Sequence, residues 1–554
     1  NDCQEHTIHQ NKSDRALVTA KPRTKSKSPQ PPPGDVQTES PADPTSAPQS
    51  SKLVNLTDGM DLFHDPSGKA FARYLAGDHW EVRPVKKLKT WLRKLHYDAN
   101  RSALPQAAMQ SEMEAIEAKA IHDGPTRDVF VRIAEHNEKV YLDLANDKWQ
   151  VVEIDQDGWR VLNESPVMFR REPGMMPLPV PQRGGSVDLL RPFVNISDEH
   201  WPLLKGFLVA AFHPRGPYPI LAVSGEQGSA KSMLCRYVKS LIDPNSAPLR
   251  SLPRNERELA IAANNSWMPV FDNLSSIPNY MADALCRLST GGGLSTRTNF
   301  SDDEETIFSG KRPVVLNGIE DVARRSDLLD RSILLPLPRI ENSSRRTEAE
   351  LDKEFEAARP FILGALLGAV SAAIRNLSSV HFPAPPRMAD IAVWITAAEP
   401  ALGLNDREFI NAYNENQDDA SAIALESSPV ARVLIEFATR YGSWQGTAAD
   451  LSPLLGAMVD DQTRRSASWL KDPRKLGGDV KRLAPNLRTL GVNIERGARV
   501  GKNRTRLITI TKSAPAAVEM RVPQFFDGLS VVSANDFDAA ADAVYPLQEL
   551  MYAA

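Results

Sequence analysis

The sequence Leu221–Val238, LAVSGEQGSAKSMLCRYV, places a glycine-rich loop between an apolar run and a helical pattern. The apolar run predicts a strand that ends at Gly225, and the residues after the loop predict a helix that begins at Ala230. Backbone N–H groups at such a junction can surround a phosphate group, and the helix dipole adds positive potential. We therefore predict a nucleotide-binding loop made of Gly225, Glu226, Gln227, Gly228, Ser229, Ala230, Lys231 and Ser232.

The last two loop residues have the side chains that nucleotide binding requires. Lys231 would contact the β- and γ-phosphate oxygens of ATP, and the Ser232 hydroxyl would bind Mg²⁺. Ala230 stands where such loops usually have their last glycine. A methyl group is tolerated there if φ is already helical. We therefore expect a functional loop with Ala230 in the first turn of the helix.

Three later residues sit at the ends of strand-like runs. Asp272 ends an apolar run, where a carboxylate would join the Mg²⁺ shell, and Asn317 ends another, where an amide would orient the attacking water. Arg331 precedes a third run and would reach the nucleotide of a neighbouring subunit. The alternative for Arg331 is an ordinary ion pair with Asp327 or Asp330. In this order, the residues predict an ATPase.

With these residues, the chain resembles the AAA+ ATPases of phage and mobile-element primase–helicases, which are related to superfamily three helicases. The resemblance rests on the stretches GEQGSAKS, FDNLS, LCRLSTGGGLSTRTNFSDDEETIF, KRPVVLNGIED and DLLDRSILLPLP. The resemblance extends to DPRKLGGDVKRLAPNLRTLGVNIE and covers residues 55–512. It implies an α/β fold with a P-loop AAA+ core, a helical lid, an N-terminal α+β region and a C-terminal winged helix. It also implies a ring, usually hexameric, that hydrolyses ATP at subunit interfaces and moves along DNA.

The resemblance gives each site residue a role. Lys231 matches the Walker A lysine, Asp272 the Walker B carboxylate, Asn317 sensor 1 and Arg331 the arginine finger. Arg387, in PPRMAD, opens a helix where a sensor-2 arginine would sit.

The chain departs from the family pattern in two ways. Many AAA+ enzymes have a second acid after the Walker B Asp, but Asn273 stands here, and an amide cannot act as a general base. Either hydrolysis is slow, or an acid from elsewhere, such as the run Asp302–Glu305, reaches the site; the simpler interpretation of that run is a solvated acidic turn. The sequence also shows no convincing primase domain, so we expect a helicase-only form or a partner primase on another chain.

Composition sets the class of protein. With 554 residues, 42% of them hydrophobic, the chain can form two to four domains, and its three cysteines give no disulfide framework, as expected in the cytoplasm.

The longest uncharged apolar run, Phe361–Ile374, is shorter than the ~20 residues of a membrane span, so no membrane association is expected. We predict a disordered tail (1–52), an α+β collar (53–185), the ATPase core (186–340), the lid (341–427), the winged helix (428–512) and a C-terminal tail (513–554).

The predicted winged helix is strongly basic, although the net charge of the whole chain is −4. Residues Thr463–Arg506 contain 13 Lys and Arg against three acids. Six of these basic residues are predicted to contact DNA phosphates. They are Lys475, Lys481, Arg482 and Arg488 of the predicted recognition helix, and Lys502 and Arg504 of the basic turn, or wing, between two strands. The alternative is a basic solvated surface on an extension of the lid.

Two further basic regions have open interpretations. Arg297 and Lys311 would grip one DNA strand inside the ring, with Phe300 stacking on bases, or would be loop residues at a subunit contact. The basic helix around Lys86–Lys94 would be a ring-forming collar or a DNA grip.

Two functions therefore fit the sequence. The first is an ATP-driven replicative helicase that acts on single-stranded and forked DNA. The second is an ATP-switched initiator or regulator that binds DNA without unwinding it, which Asn273 favours. A small-molecule P-loop kinase fits poorly, because such an enzyme needs neither an arginine acting between subunits nor a basic winged helix.

Overall fold

The computed structural model of the protein describes residues 59–297, 305–308, 310–318, 325–341, 343, 345–426, 428–465, 469, 472–500 and 505–513. The two predicted tails lie outside these residues, apart from Ser513. So do Phe300, Lys502, Arg504 and the acidic residues Asp302 to Glu304. The fold is mixed α/β.

A small α+β unit comes first in the described chain. Its elements are β1 (Asp61–His64), β2 (Ala70–Ala76), β3 (His79–Pro84), α1 (Lys89–Asn100) and α2 (Gln106–His122). The three strands form an antiparallel sheet, and both helices pack on it through buried side chains such as Leu92 and Met109. Arg93 and Lys94 are exposed, so α1 has the buried stripe and the basic outer face that the sequence predicts.

An antiparallel β-meander follows this unit. The strands are β4 (Val129–Phe130), β5 (Ile133–His136), β6 (Lys139–Asp143), β7 (Val151–Asp155), β8 (Gly158–Leu162) and β9 (Met168–Phe169). β5 to β8 pair in sequence order, and β4 pairs with β9. Trp159 of β8 donates a hydrogen bond from Nε1 to the Gly364 carbonyl, which joins the meander to the helical part of the chain.

The central unit is a parallel sheet with helices on both faces. A 3₁₀ segment, Val187–Phe193, and α3 (Trp201–Ala210) lead into it. Its elements are β10 (Ile220–Ser224), α4 (Lys231–Ile242), α5 (Glu256–Asn265), β11 (Val270–Leu274), α6 (Asn279–Thr290), the hairpin β12 (Leu294–Arg297) and β13 (Glu305–Phe308), β14 (Val314–Gly318), α7 (Ser326–Leu329) and β15 (Ser332–Pro336). The sheet order is β11-β14-β10-β15.

Side chains of β10 alternate between the two faces of this sheet. Ile220 and Ala222 belong to one buried cluster, and Leu221 and Val223 to another. A strand covered on both faces in this way is typical of parallel α/β sheets. Pro269, which is unsuitable for a central strand, lies just before β11, and β11 is at the edge of the sheet.

A buried ionic network connects the meander to the C-terminal end of α4. Arg132 is fully buried and donates to Asp243, 3.1 Å away, and Asp243 also accepts from Lys239 of α4 at 2.7 Å and from Ser266 at 2.7 Å. Burial opposes ionisation of Asp243, but Lys239 and Arg132 hold the pKa of its carboxyl below the usual range. Because removing one member leaves an unpaired buried charge, the network fixes α4, the helix that follows the glycine-rich loop.

Three long helices continue from the sheet: α8 (Glu348–Asn376), α9 (Ala389–Leu402) and α10 (Glu408–Glu426). By length and composition, α8 with the short turn after it could cross a membrane, but 61% of its most apolar window is buried inside the protein. Leu363, Leu366 and Leu367 belong to the largest hydrophobic core. The apolar run Phe361–Ile374 therefore lies within a longer helix, and most of its side chains are buried in the protein.

The C-terminal unit has its own hydrophobic core. Its elements are α11 (Pro429–Tyr441), β16 (Ser443–Thr447), α12 (Ala448–Ala457), α13 (Asp461–Arg465), α14 (Pro473–Thr489), β17 (Val492–Val500) and β18 (Thr505–Lys512). The three strands form a sheet in the order β16-β18-β17. Leu434, Leu451, Leu487 and Ile510 pack together between the helices and this sheet.

Candidate functional site

The carboxyl ends of three parallel strands meet at one cavity of about 840 Å³. The glycine-rich loop follows β10, Asp272 lies near the end of β11, and Asn317 lies near the end of β14. Lys231 and Ser232, from the first turn of α4, line the same cavity. Clefts outside the carboxyl ends of parallel strands are where open α/β sheets bind ligands.

The loop turns sharply at its first glycine. Gly225 has φ = 144°, a conformation that L side chains rarely adopt, and a Cβ there would lie 2.7 Å from the Leu337 carbonyl oxygen. Asn195 ties the other end of the loop in place by donating to the Ser229 and Pro338 carbonyls. The backbone of the loop is thus fixed in a curved conformation that leaves space in front of α4.

Ala230 is not in the first helical turn as expected. It is the N-cap of α4 and has φ = 65° and ψ = 26°, which is left-handed. The prediction of a helical φ is therefore wrong. The loop keeps the geometry that favours glycine, although the glycine has been replaced, because the curve needs a left-handed residue just before the helix.

We expect Ala230→Gly to stabilise the protein by about 0.5–1 kcal/mol. A left-handed conformation costs an alanine roughly 1–2 kcal/mol, and glycine removes this cost from the folded state. Glycine also makes the unfolded chain more flexible, which offsets part of the gain in the free energy of unfolding. Urea denaturation followed by tryptophan fluorescence measures the change. Ala357→Gly, at an exposed position inside α8, is the matched control and should destabilise by about 0.5–1 kcal/mol. Equal destabilisation by both changes would contradict the left-handed assignment.

Lys231 is held by its own loop. Its Nζ donates to the carbonyl oxygens of Gly225 and Glu226, each at 2.7 Å. Burial lowers the pKa of Lys231, and the nearby Asp272 carboxylate opposes this shift. An ammonium group in this position can turn from two neutral carbonyls toward a more strongly negative phosphate without moving the backbone.

Ser232, Asp272 and Asn317 lie in mutual contact. The Ser232 Oγ is 3.3 Å from both carboxylate oxygens of Asp272, and the Asn317 Nδ2 contacts the same carboxylate. In an octahedral Mg²⁺ shell, neighbouring oxygen ligands are roughly 3 Å apart, so the hydroxyl and carboxylate fit that ion. The Asn317 Oδ1 is buried and has no partner among the described residues. This leaves an acceptor aimed at no protein group next to the site.

Asn273 follows at an irregular point of β11. Its φ is 57°, and the pairing of β11 with β14 shifts register between Phe271 and Leu274. Asn is one of the few residues that adopt a left-handed conformation at low cost. The side chain lines the cavity but is an amide, so this position offers no general base.

The remaining walls of the cavity include residues that the sequence interpretation missed. Phe193, Val194, Met233 and Leu351 form an apolar side. Arg345 lies over the loop, with its Nη2 3.1 Å from the position of a Cβ on Gly228.

Arg387 does not occupy the predicted position near the nucleotide. It forms an ion pair with Asp330 and is not among the residues that line the cavity. The expectation of a sensor-2 role for Arg387 is therefore wrong. Arg345 and Arg346, just before the lid helix α8, lie at the cavity instead.

Arg331 lies at the other end of the sheet from the cavity. It immediately precedes β15, whose first residue pairs with Ile220 at the start of β10. Its Nη1 donates to the Asp327 carbonyl at 2.6 Å, and its Nε is buried without a partner among the described residues. Asp327 pairs with Arg325, and Asp330 with Arg387. The alternative ion pair between Arg331 and either aspartate is not what the structure shows.

The predicted DNA-binding residues are spread over several surfaces. Arg297 lies in β12, and the Lys311 side chain packs over Gly291. On α14, Lys475, Lys481 and Arg488 are exposed, whereas Arg482 forms an ion pair with Asp479. Of the four α14 residues predicted to meet DNA, Lys481 is the one that lines a groove against the β17–β18 hairpin.

Two family models match this chain. Residues 187–422 match the actinomycete integrative conjugative element replication protein, and residues 430–523 match the C-terminal domain of the same protein, RepA. Together, these spans take up more than half of the 554 residues. The chain is therefore similar to a replication protein of mobile elements. A search of characterised proteins gives no match.

Solved structures resemble the chain only loosely. The apo structure of the NrS-1 C-terminal region is 11% identical, with a TM-score of 0.39, and the match covers 84% of this chain and 100% of that one. The structure described as SCCmec type IV Cch, active helicase, is 12% identical, with a TM-score of 0.40, and covers 82% and 93%. These values are too low to transfer a function or a site.

Proposed function

From the similarity to replication proteins of actinomycete integrative conjugative elements, we propose that this chain is an ATP-driven DNA helicase in mobile-element replication. The observation that carries the proposal is the convergence of Lys231, Ser232, Asp272 and Asn317 on one cavity at the carboxyl end of the sheet. These four side chains come from the ends of two strands and from the first turn of one helix, and together they supply a cation, two oxygen ligands and an amide. ATP hydrolysis uses such a set.

Each residue has a defined task in this mechanism. Lys231 leaves the Gly225 and Glu226 carbonyls and contacts the β- and γ-phosphate oxygens. Ser232 and Asp272 would hold Mg²⁺, which neutralises charge that develops on the phosphates. The Asn317 side chain, which contacts Ser232 and Asp272, would orient the attacking water.

The walls of the cavity would bind the rest of the nucleotide. The apolar side formed by Phe193, Val194, Met233 and Leu351 suits an adenine ring, since burying its faces favours binding. Arg345, which lies over Gly228, is placed to contact the γ-phosphate from the lid side. Nucleotide binding would therefore draw the start of α8 toward the loop.

The motor would be a ring, which we propose to be a hexamer, with Arg331 of one subunit reaching the nucleotide of the next. We propose the domain boundaries given by the sequence, with residues 186–340 as an AAA+ core, 341–427 as the lid and 428–512 as a winged helix. The order of helices and strands in the C-terminal unit supports the last assignment, because a helix precedes a two-stranded hairpin there.

A second candidate function is an ATP-switched initiator that assembles on DNA without unwinding it. The observation that favours it is Asn273, because the cavity wall presents an amide where a general base would stand. Such a protein would bind ATP firmly and hydrolyse it slowly.

The test is strand displacement on a forked duplex, with ATP turnover measured on the same preparation with and without single-stranded DNA. A helicase displaces the strand in an ATP-dependent reaction, and single-stranded DNA raises its turnover. Replacing ATP with a non-hydrolysable analogue is the control and should stop displacement. ATP-dependent assembly with negligible turnover and no displacement would support the initiator and overturn the helicase.

A further inference from the structure

A second large groove lies in the C-terminal unit, far along the chain from the ATP site. It has a volume of about 730 Å³ and runs between the start of α14 and the β17–β18 hairpin. Five cationic side chains line it, and they are Arg474, Lys481, Arg496, Arg499 and Arg506. The single carboxylate in the lining belongs to Asp472, which is engaged as the N-cap of α14 and accepts the Arg474 N–H at 2.8 Å.

The fold does not neutralise these five cations. Within the described part of the chain, none of them forms an ion pair, whereas their neighbours do: Arg482 pairs with Asp479, and Arg464 with Asp461. A concave surface of one sign concentrates the potential and attracts ions of the opposite sign. The groove therefore has the charge of an anion-binding surface, and the one carboxylate among its described lining residues, Asp472, is already engaged as a helix cap.

The hairpin places two of the arginines at a cost to its own stability. Arg499 of β17 lies directly opposite Arg506 of β18, and like charges in such a cross-strand pair are unfavourable. The register of the hairpin also shifts between Arg496 and Arg499. Bulges of this kind re-aim side chains. The fold leaves the repulsion between these two arginines uncompensated. Proteins accept such a local cost mainly at functional sites, where a bound ligand can supply the opposite charge.

Arg496 completes the connection between hairpin and helix. Its Nη2 lies 3.6 Å from the position of a Cβ on Gly477, so the guanidinium lies against α14. Lys481 is one turn further along the same helix, and Arg474 lies in its first turn. The cations thus come from both walls of the groove, as in a surface that follows a line of phosphates.

The lining residues also indicate which nucleic acid fits. None of the described residues that line the groove is aromatic. Proteins that hold single strands use aromatic side chains on which bases stack, whereas contacts to a duplex backbone need only cations. We propose that this groove binds the phosphate backbone of duplex DNA without sequence preference, through Arg474, Lys481, Arg496, Arg499 and Arg506.

This inference rests on the proposed function in one respect, namely that DNA is the substrate of the chain. It adds that the duplex and the unwound strand are held in different places. The residues that matter are then mainly hairpin arginines, and Lys475, Arg482 and Arg488 of α14 contribute less than the sequence predicts.

The experiment compares the full chain with the double variant Arg499→Gln/Arg506→Gln. Fluorescence anisotropy without nucleotide gives the affinity for a 20-base-pair duplex and for one of its strands across a salt series. We expect the wild-type chain to prefer the duplex and to bind two unrelated duplex sequences equally. The double variant should bind the duplex about tenfold more weakly or worse, and its slope of log K against log salt should be smaller by about two units.

Arg432→Gln/Arg440→Gln is the matched control, since it removes the same charge from exposed positions on α11 of the same unit. It should leave the slope unchanged. Preference for the single strand, an unchanged slope in the groove variant, or an equal loss in the control would each overturn the proposal. ATP turnover is measured on the same samples with saturating single-stranded DNA: if it is absent in the wild type, the motor proposal fails while the groove result stands.

Discussion

Lys231→Ala is expected to lower the ATP turnover of this chain about 10²–10³-fold, the range seen when one preorganised charge-stabilising group is removed from an active site. The lysine is the only cation in the first turn of α4, and it is held at the cavity by two carbonyl oxygens of its own loop. Alanine cannot replace its contact with the β- and γ-phosphates. Both ATP binding and hydrolysis should therefore fall, and strand displacement should stop.

The fold should survive this change. Lys231 makes hydrogen bonds only within the loop region, and α4 is fixed at its far end by the buried Lys239–Asp243 pair. Turnover is measured by phosphate release at saturating Mg²⁺, with the melting temperature as the test of folding. Lys353→Ala, at an exposed position on α8, is the control and should keep wild-type turnover. A folded Lys231→Ala protein with turnover within threefold of the wild type would contradict the assignment of the site.

The sequence predicts that the candidate site residues meet at one edge of the sheet, because the information there is local. Each of the residues Gly225, Asp272 and Asn317 follows or ends an apolar run, and parallel strands bring their carboxyl ends to one edge. The order of the runs along the chain is then enough to place the residues together. Pro269, just before β11, is compatible with this arrangement, because β11 lies at the edge of the sheet.

The lid side of the cavity is a different case. Arg387 and Arg345 both precede helices, and nothing local states which helix begins at the nucleotide. A signal for the start of α8 does exist: Thr347 caps the helix and accepts the Glu350 N–H, a pattern readable from the sequence. Which helix start faces the loop depends on long-range packing of α8 against the rest of the core.

Two other features depend on backbone geometry. The left-handed φ of Ala230 contradicts the residue type, so a rule based on residue preference predicts the wrong conformation. The groove in the C-terminal unit depends on strand register, because one residue of slip would move Arg499 and Arg506 to opposite faces of the hairpin. The number of basic residues in the sequence identifies the C-terminal unit as basic, but it does not show which of them line the groove.

Arg331→Ala is expected to lower ATP turnover about 10³-fold or more, the effect of removing an arginine that acts on a neighbour's nucleotide. The position of Arg331 excludes an action on its own nucleotide. It lies before β15 at the amino end of the sheet, whereas the cavity lies beyond the carboxyl ends of the neighbouring strands. Five strand residues at about 3.3 Å each separate the two ends by roughly 16 Å, which is more than an arginine side chain spans.

The partly satisfied guanidinium supports a role between subunits. Nη1 is anchored on the Asp327 carbonyl, while Nε has no partner among the described residues. Binding ATP should remain near wild type in Arg331→Ala, because Lys231, Ser232 and Asp272 are unchanged. Arg387→Ala is the matched control: it breaks an exposed ion pair with Asp330 in the same region and should change turnover less than threefold.

A mixing experiment separates action between subunits from action within one. Rings of Lys231→Ala protomers alone and of Arg331→Ala protomers alone should both be inactive. In an equal mixture, a site that combines Lys231 from an Arg331→Ala protomer with Arg331 from a Lys231→Ala protomer is complete, and about a quarter of random interfaces have this arrangement. Turnover should therefore return to a measurable fraction of the wild-type value on mixing. If the mixture stays as inactive as its components, although native mass shows that mixed rings have formed, Arg331 does not act across the interface, and the ring motor loses its central support.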